Sequence, residues 1–161
     1  MIIKEIIDED FCNYKSPSMY IAFPYCTFKC DRESEMRVCQ NSTLSQAPDI
    51  EMGINEICER YISNDITSAI VCSGLEPMES FEDLYDFIYS LRCKYNCDDT
   101  VVIYTGYTED ECIMKGWIEK LSSFKHIIIK FGRFRPNQEK HFDDILGIYL
   151  ASDNQYAEKI S

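Results

Sequence analysis

Basic residues are scarce in this chain: 16 Lys and Arg stand against 28 Asp and Glu, a formal net charge of −12 over 161 residues. Nonspecific nucleic-acid binding needs Lys and Arg to neutralise phosphates, so this balance argues against it, and equally against an anionic membrane surface. No apolar run of 18 residues exists to cross a membrane. The opening Met-Ile-Ile-Lys-Glu-Ile-Ile-Asp-Glu-Asp is too acidic and too short in its apolar part for a signal peptide, and a cytoplasmic location is expected. Histidine is nearly absent: His126 begins a predicted strand and His141 lies in a polar loop, and neither has ligand-type spacing. Without an internal repeat or a low-complexity linker, residues 1–161 read as one domain, long enough for a real core.

Cysteine, by contrast, is abundant and odd in number at nine. In a secreted chain nine would leave a thiol unpaired, and a domain of this size does not need staples. In a reducing cytosol the same count points to metal or catalytic thiols together with buried structural ones. Most of Cys12, Cys58, Cys72, Cys93, Cys97 and Cys112 are expected to be small buried hydrophobes. Cys93 and Cys97 form a Cys-x3-Cys pair on a predicted helix and read as surface or packing thiols, because zinc or a second cluster would need partners elsewhere.

Hydrophobic patterning alternates strand and helix. Strands are predicted at Met19–Phe23, Thr67–Cys72, Thr100–Tyr104 and His126–Phe131, with a short final one at Leu146–Leu150. Helices are predicted at Ile50–Ile62, Glu79–Tyr95 and Glu109–Leu121, each with apolar residues at three- and four-residue spacing. The strands are continuously apolar, as strands buried on both faces are. Repeated βα units with right-handed crossovers give a parallel sheet, either open or curved into part of a barrel. Asp31–Glu51 is the one long polar stretch and reads as an ordered or cofactor-ordered loop.

In such folds the loops leaving strand C-termini hold the chemistry. The first carries Cys26, Cys30 and Cys39. Three thiolates with no fourth nearby can hold a [4Fe–4S] cube by three corners and leave one iron open to a substrate or cofactor. Alternatively, Cys26 and Cys30 are structural thiols near a helix start, and Cys39 a coincidence in a cysteine-rich chain. The second loop is Ser73-Gly74-Leu75-Glu76-Pro77-Met78 and the third Tyr104-Thr105-Gly106-Tyr107-Thr108. A carboxylate beside a cluster can accept from an amino group, and hydroxyls near a glycine can receive a ribose or carboxylate. Glu76 also reads as a first-turn acid of the following helix, and Thr105-Gly106 as an ordinary strand–helix turn.

These residues together resemble the radical S-adenosylmethionine (SAM) superfamily and, within it, the activating proteins of anaerobic (class III) ribonucleotide reductases. The likeness rests on the cysteine loop, on Ser73–Met78 in place of Ser-Gly-Gly-Glu/Asp-Pro-Leu, on Val101–Thr108, and on Tyr149-Leu150-Ala151-Ser152-Asp153-Asn154-Gln155 beside that group's Gly-Ser-Ser/Asp-Asn-Gln ending. Three positions depart from the pattern. Eight residues separate Cys30 from Cys39 where the family has two, Leu75 replaces the middle glycine, and Lys130 stands where aspartate is common.

The resemblance implies a partial, open parallel (β/α) barrel of about five or six strands, since eight βα units need about 200 residues or more. It implies a [4Fe–4S] cluster on Cys26, Cys30 and Cys39. SAM would lie against Tyr25, Phe28, Ser73, Gly74, Leu75, Glu76 and Thr105, with Ser152 and Asn154 from the tail. The activity implied is reductive cleavage of SAM to a 5′-deoxyadenosyl radical that installs a glycyl radical on the large subunit of an anaerobic ribonucleotide reductase. Electrons would come from a flavodoxin- or ferredoxin-type donor. Another small radical SAM enzyme acting on a peptide or small molecule, and a non-enzymatic iron–sulfur or zinc protein, are the competing readings.

Overall fold

The computed structural model describes all residues, Met1–Ser161. In chain order the elements are β1 (Ile2–Ile3), β2 (Glu5–Asp10), β3 (Ser18–Phe23), α1 (Lys29–Ser34), β4 (Ile50–Glu51), α2 (Ile54–Ile62), β5 (Ala69–Gly74), α3 (Phe81–Tyr89), β6 (Thr100–Tyr104), α4 (Glu109–Met114), α5 (Trp117–Leu121), β7 (Ile127–Phe131), β8 (His141–Asp143), β9 (Ile148–Leu150) and β10 (Tyr156–Lys159). Single 3-10 turns at Leu44–Gln46 and Pro77–Ser80 and a π-helical turn at Ser90–Lys94 complete them.

Six strands form one sheet in the order β10-β7-β6-β5-β3-β2. The four central strands are parallel and in sequential order, whereas β2 and β10 pair antiparallel at the two edges. The expectation of five or six parallel strands is corrected to four. The reason lies in the connections: a parallel neighbour requires a crossover, normally helical. No helix lies between β2 and β3 or between β7 and β10, so there the chain returns antiparallel. Leu146–Leu150 is likewise not a strand of this sheet; β9 pairs with β8 in a separate hairpin.

Every long helix packs on the same face of the sheet. Ile57 and Tyr61 of α2, Leu84, Phe87 and Ile88 of α3, and Cys112 and Leu121 of α4 and α5 join Ile21, Ile70, Cys72, Ile103, Ile129 and Phe131 in one core. A doubly wound fold would cover both faces and reverse its strand order at a switch point. Here the order is sequential and the winding is single, the sense that (β/α) barrels share, but the sheet ends on its two antiparallel edges and does not close. The opposite face carries a smaller apolar layer, Ala69, Val71, Val102 and Ile128, covered by Tyr14, Leu146 and Leu150. At the C-terminal rim of that face the layer gives way to Tyr20, Ser73, Tyr104 and Lys130, which border a cavity of about 330 Å³.

Cys58, Cys72, Cys97 and Cys112 are buried as expected, but Cys12 and Cys93 are exposed. Cys93 sits on the π-helical turn and Cys97 just beyond it, away from the cavity. Helix Glu109–Leu121 is in fact two helices broken at Gly116, whose φ of +69° interrupts the helical run. No helix is long and apolar enough to cross a membrane.

Candidate metal centre

Cys26, Cys30 and Cys39 all border this cavity. Phe28, with φ of +51°, turns the chain leaving β3 into α1, and its backbone N–H donates to Cys26 Sγ at 3.2 Å. Cys30 lies in the first turn of α1. The eight residues before Cys39 do not carry it away, because Asp31 closes the loop. Its Oδ1 accepts from the backbone N–H of Val38 and of Cys39, each at 2.8 Å. Cys39 therefore returns beside Cys30, and Asn41 then fastens the loop to the next one through a 2.6 Å hydrogen bond to the Gly74 carbonyl.

No group of three His, Cys, Asp or Glu side chains converges on a point that would hold a single ion. A cube makes a different demand, since each thiolate binds its own iron. Three half-buried thiols around one open cavity, with no fourth thiol bordering it, fit that demand. Burial pushes the Cys26 thiol up to about 12; burial, with Cys39 and Asp31 adjacent, pushes Cys30 up to about 11. Metal binding there must displace protons, as thiolate sites generally do.

Gly74 ends β5 with φ of +89°, and a Cβ there would stand 2.7 Å from Ala22 Cα and 2.8 Å from the Phe23 nitrogen. Only glycine fits. Leu75, the replacement in the turn, keeps a negative φ and borders the cavity without backbone strain. Glu76 is 3% exposed and caps the 3-10 turn by accepting from the Met78 N–H at 3.1 Å. It also accepts from Thr105 Oγ1 at 2.7 Å and the Gly106 N–H at 2.8 Å. A carboxylate has about four acceptor positions, so three are filled and one remains, on a residue that borders the cavity. Burial raises Glu76 to about 7 although these three donors pull the other way.

Of the other expected residues, Ser73, Gly74, Leu75, Glu76 and Thr105 come together at the cavity, whereas Tyr25, Phe28, Ser152 and Asn154 do not border it. Tyr25 is 49% exposed. Ser152 is fully buried and its Oγ accepts from the Arg135 N–H; Asn154 donates to the Arg133 carbonyl at 2.9 Å. The tail thus holds the loop after β7, and its Gln155 reaches the cavity. The Thr105 hydroxyl donates to Glu76 and accepts from the Tyr107 N–H at 3.0 Å.

Sequence reasoning passed over the carboxylates that bind these loops to one another. Glu79 accepts from Thr27 Oγ1 at 2.6 Å and from the Tyr107 hydroxyl at 3.1 Å, joining the loops after β3, β5 and β6. Glu111, the N3 acid of the α4 capping box, accepts from Arg133 at 2.6 and 2.7 Å and from Lys29 at 3.3 Å. Burial works against its charge, but Arg133, the Thr108 N–H and Lys29 bring the carboxyl down to about 2. The capping-box pattern Thr-x-x-Glu at Thr108–Glu111 was a visible signal; the reach of Glu111 to Lys29 and Arg133 was not.

The family model for the 4Fe-4S single cluster domain matches residues 18–155, from the first parallel strand through the tail beyond β9. The chain belongs to that family, and a [4Fe–4S] cluster-binding domain is therefore present. No curated protein and no solved structure matches the chain.

Proposed function

We propose that the protein is a radical SAM enzyme of the glycyl-radical-activating type, with the cluster held by Cys26, Cys30 and Cys39. The observation that carries the reading is Glu76, a buried carboxylate with one unfilled acceptor position, on the cavity that the three cysteines border. Cluster and SAM, when bound, supply reductive cleavage to a 5′-deoxyadenosyl radical. The chain's own residues do the rest. Glu76 accepts from the methionyl ammonium, while Thr105 and the Gly106 N–H fix the carboxylate's orientation. Gly74 and Leu75 present backbone beside it, and Tyr20 and Tyr104 wall the cavity.

In this reading the substrate supplies much of its own binding surface. A glycine-bearing loop of an anaerobic ribonucleotide reductase large subunit does so, with a flavodoxin- or ferredoxin-type donor for the electron. The net charge of −12 favours a basic patch on the partner and a salt-sensitive association. Anaerobic reconstitution, reduction and addition of SAM should give 5′-deoxyadenosine, and a glycyl doublet in the electron paramagnetic resonance spectrum once the reductase is added. No cleavage returns the protein to a non-enzymatic cluster carrier; cleavage without a doublet assigns it another radical SAM chemistry.

A further inference from the structure

One strand edge at the rim of the cavity is open. Ile148, Tyr149, Leu150 and Ala151, the whole of β9 and the residue after it, border the cavity, and no residue of β8 does. β8 therefore covers the far edge of β9, and the near edge, on which no further strand lies, faces the cavity. The hairpin fixes which backbone groups that edge presents. Gly147, with φ of +73°, donates its N–H to the Asp143 carbonyl at 2.7 Å, while Ile148 stands opposite the same aspartate. Two residues facing one, the first a left-handed glycine, form a bulge that leaves Asp143 and Ile148 a hydrogen-bonded pair. Pairs alternate along an antiparallel ladder, so Phe142 and Tyr149 are a non-bonded pair, their N–H and C=O turned outward. Their side chains are close, as such a pair requires: the ring centroids lie 5.3 Å apart. The Phe142 backbone groups point away from the cavity and those of Tyr149 toward it. Two residues on, the Ala151 N–H is already taken by Gln155 Oε1 at 3.1 Å. The open edge is thus one residue long.

Resting on the activase reading above, we propose that the edge of β9 at Tyr149 docks an extended segment of the protein substrate, the flank of its glycine-bearing loop. An unpaired strand edge is a template for an incoming chain, and its main-chain bonds recognise extended backbone whatever the side chains. One residue of the segment exchanges two backbone bonds with Tyr149, and its side chain lies beside the tyrosine ring, which is 71% exposed. The residues on either side of it face inward, as Ile148 and Leu150 do, and there the glycine belongs. A second copy of this chain is a poor occupant, because two hydrogen bonds fall far short of an interface of about 1,000 Å² or more. A loop already tethered to a large partner needs only to be oriented, and one bonded pair does that.

Proline at an outward-facing edge position removes the free N–H and spares the ladder, so Tyr149→Pro and Phe142→Pro test the near and far edges separately. Both variants lose the ring pair, and their difference isolates the edge. Titrated anaerobically with the reductase large subunit, the reconstituted Tyr149→Pro protein should bind about tenfold more weakly than Phe142→Pro, through the lost bond and the partner carbonyl left without its donor. In the wild-type complex, hydrogen exchange read at single amides should slow at Tyr149 and not at Phe142; this measurement decides the matter if either variant fails to fold. Equal loss in the two variants, a greater loss in Phe142→Pro, or unchanged exchange at Tyr149 overturns docking at this edge and leaves the activase reading standing. Dimerisation of the wild type with protection of Tyr149 before any reductase is added assigns the edge to a second copy and also overturns it. If the wild-type protein cleaves SAM but neither binds the reductase nor gives a glycyl doublet, the activase reading falls and the docking assignment falls with it.

Discussion

Ionising Glu76 should weaken the metal-free fold. Its carboxyl titrates near 7 in the folded protein against an ordinary value of 4.5. Between those values the folded state binds a proton that the unfolded chain has already released, so stability must fall as pH rises through the window. At about 1.4 kcal/mol per unit the shift amounts to about 3 kcal/mol, most of it lost between roughly pH 5 and pH 8. Other groups titrate in that range, and the difference from Glu76→Gln isolates this one. Urea unfolding of both proteins, metal-free and reduced, should show the wild type losing about 3 kcal/mol relative to the variant across those pH values. At the alkaline end a ligand bearing an ammonium should restore part of the loss. A flat difference would show that Thr105, Gly106 and Met78 together balance burial, and a difference of opposite sign would show that they outweigh it. Either result would remove the argument that Glu76 is poised for an incoming cation.

Asp31→Ala should lower the iron retained after reconstitution and, through the two hydrogen bonds it loses, lower the thermal midpoint by a few degrees; iron content and a melting curve check this. Cys39→Ala should lose more iron still, and a variant that kept the full cluster would remove Cys39 from the ligand set. Gly74→Ala places a Cβ 2.7 Å from Ala22 Cα at φ of +89° and should cost about 1–3 kcal/mol, seen as a lower denaturation midpoint. Glu76→Ala should weaken SAM binding by about one to two decades, measured by equilibrium titration.

The parallel core was legible because its strands are apolar on both faces: Ile127–Phe131 is buried throughout, as are Ala69–Cys72 and Val101–Ile103. The edge strands were not. Glu5-Ile6-Ile7-Asp8-Glu9-Asp10 is mostly acidic and only Asp10 is buried; Tyr156-Ala157-Glu158-Lys159 buries Ala157 alone. Such segments are held by pairing with an existing sheet, not by a periodicity of their own. At the site, the loop positions of the three cysteines and Glu76 followed from strand ends. What could not be read was how the loops meet, since Asp31, Asn41, Glu79 and Glu111 act across distances that only the folded chain sets. The tail is a third case: its motif was visible, but Ser152 and Asn154 turn inward to hold the loop after β7.

The hydrogen bonds of Asp31 also bear on the entropy of the cysteine loop. Lengthening a flexible closure from two intervening residues to eight is two doublings, about 1.2 kcal/mol. Two bonds to a carboxylate, at about 1.5 kcal/mol each, offset that cost. With its ends fixed at Asp31 and Val38, the exposed stretch Glu35-Met36-Arg37 has its contour length uncoupled from the placement of the sulfurs. Residues could be added or replaced there without moving Cys39, which makes this stretch a place where the chain can vary its outer surface beside the three cysteines at little expense to their placement.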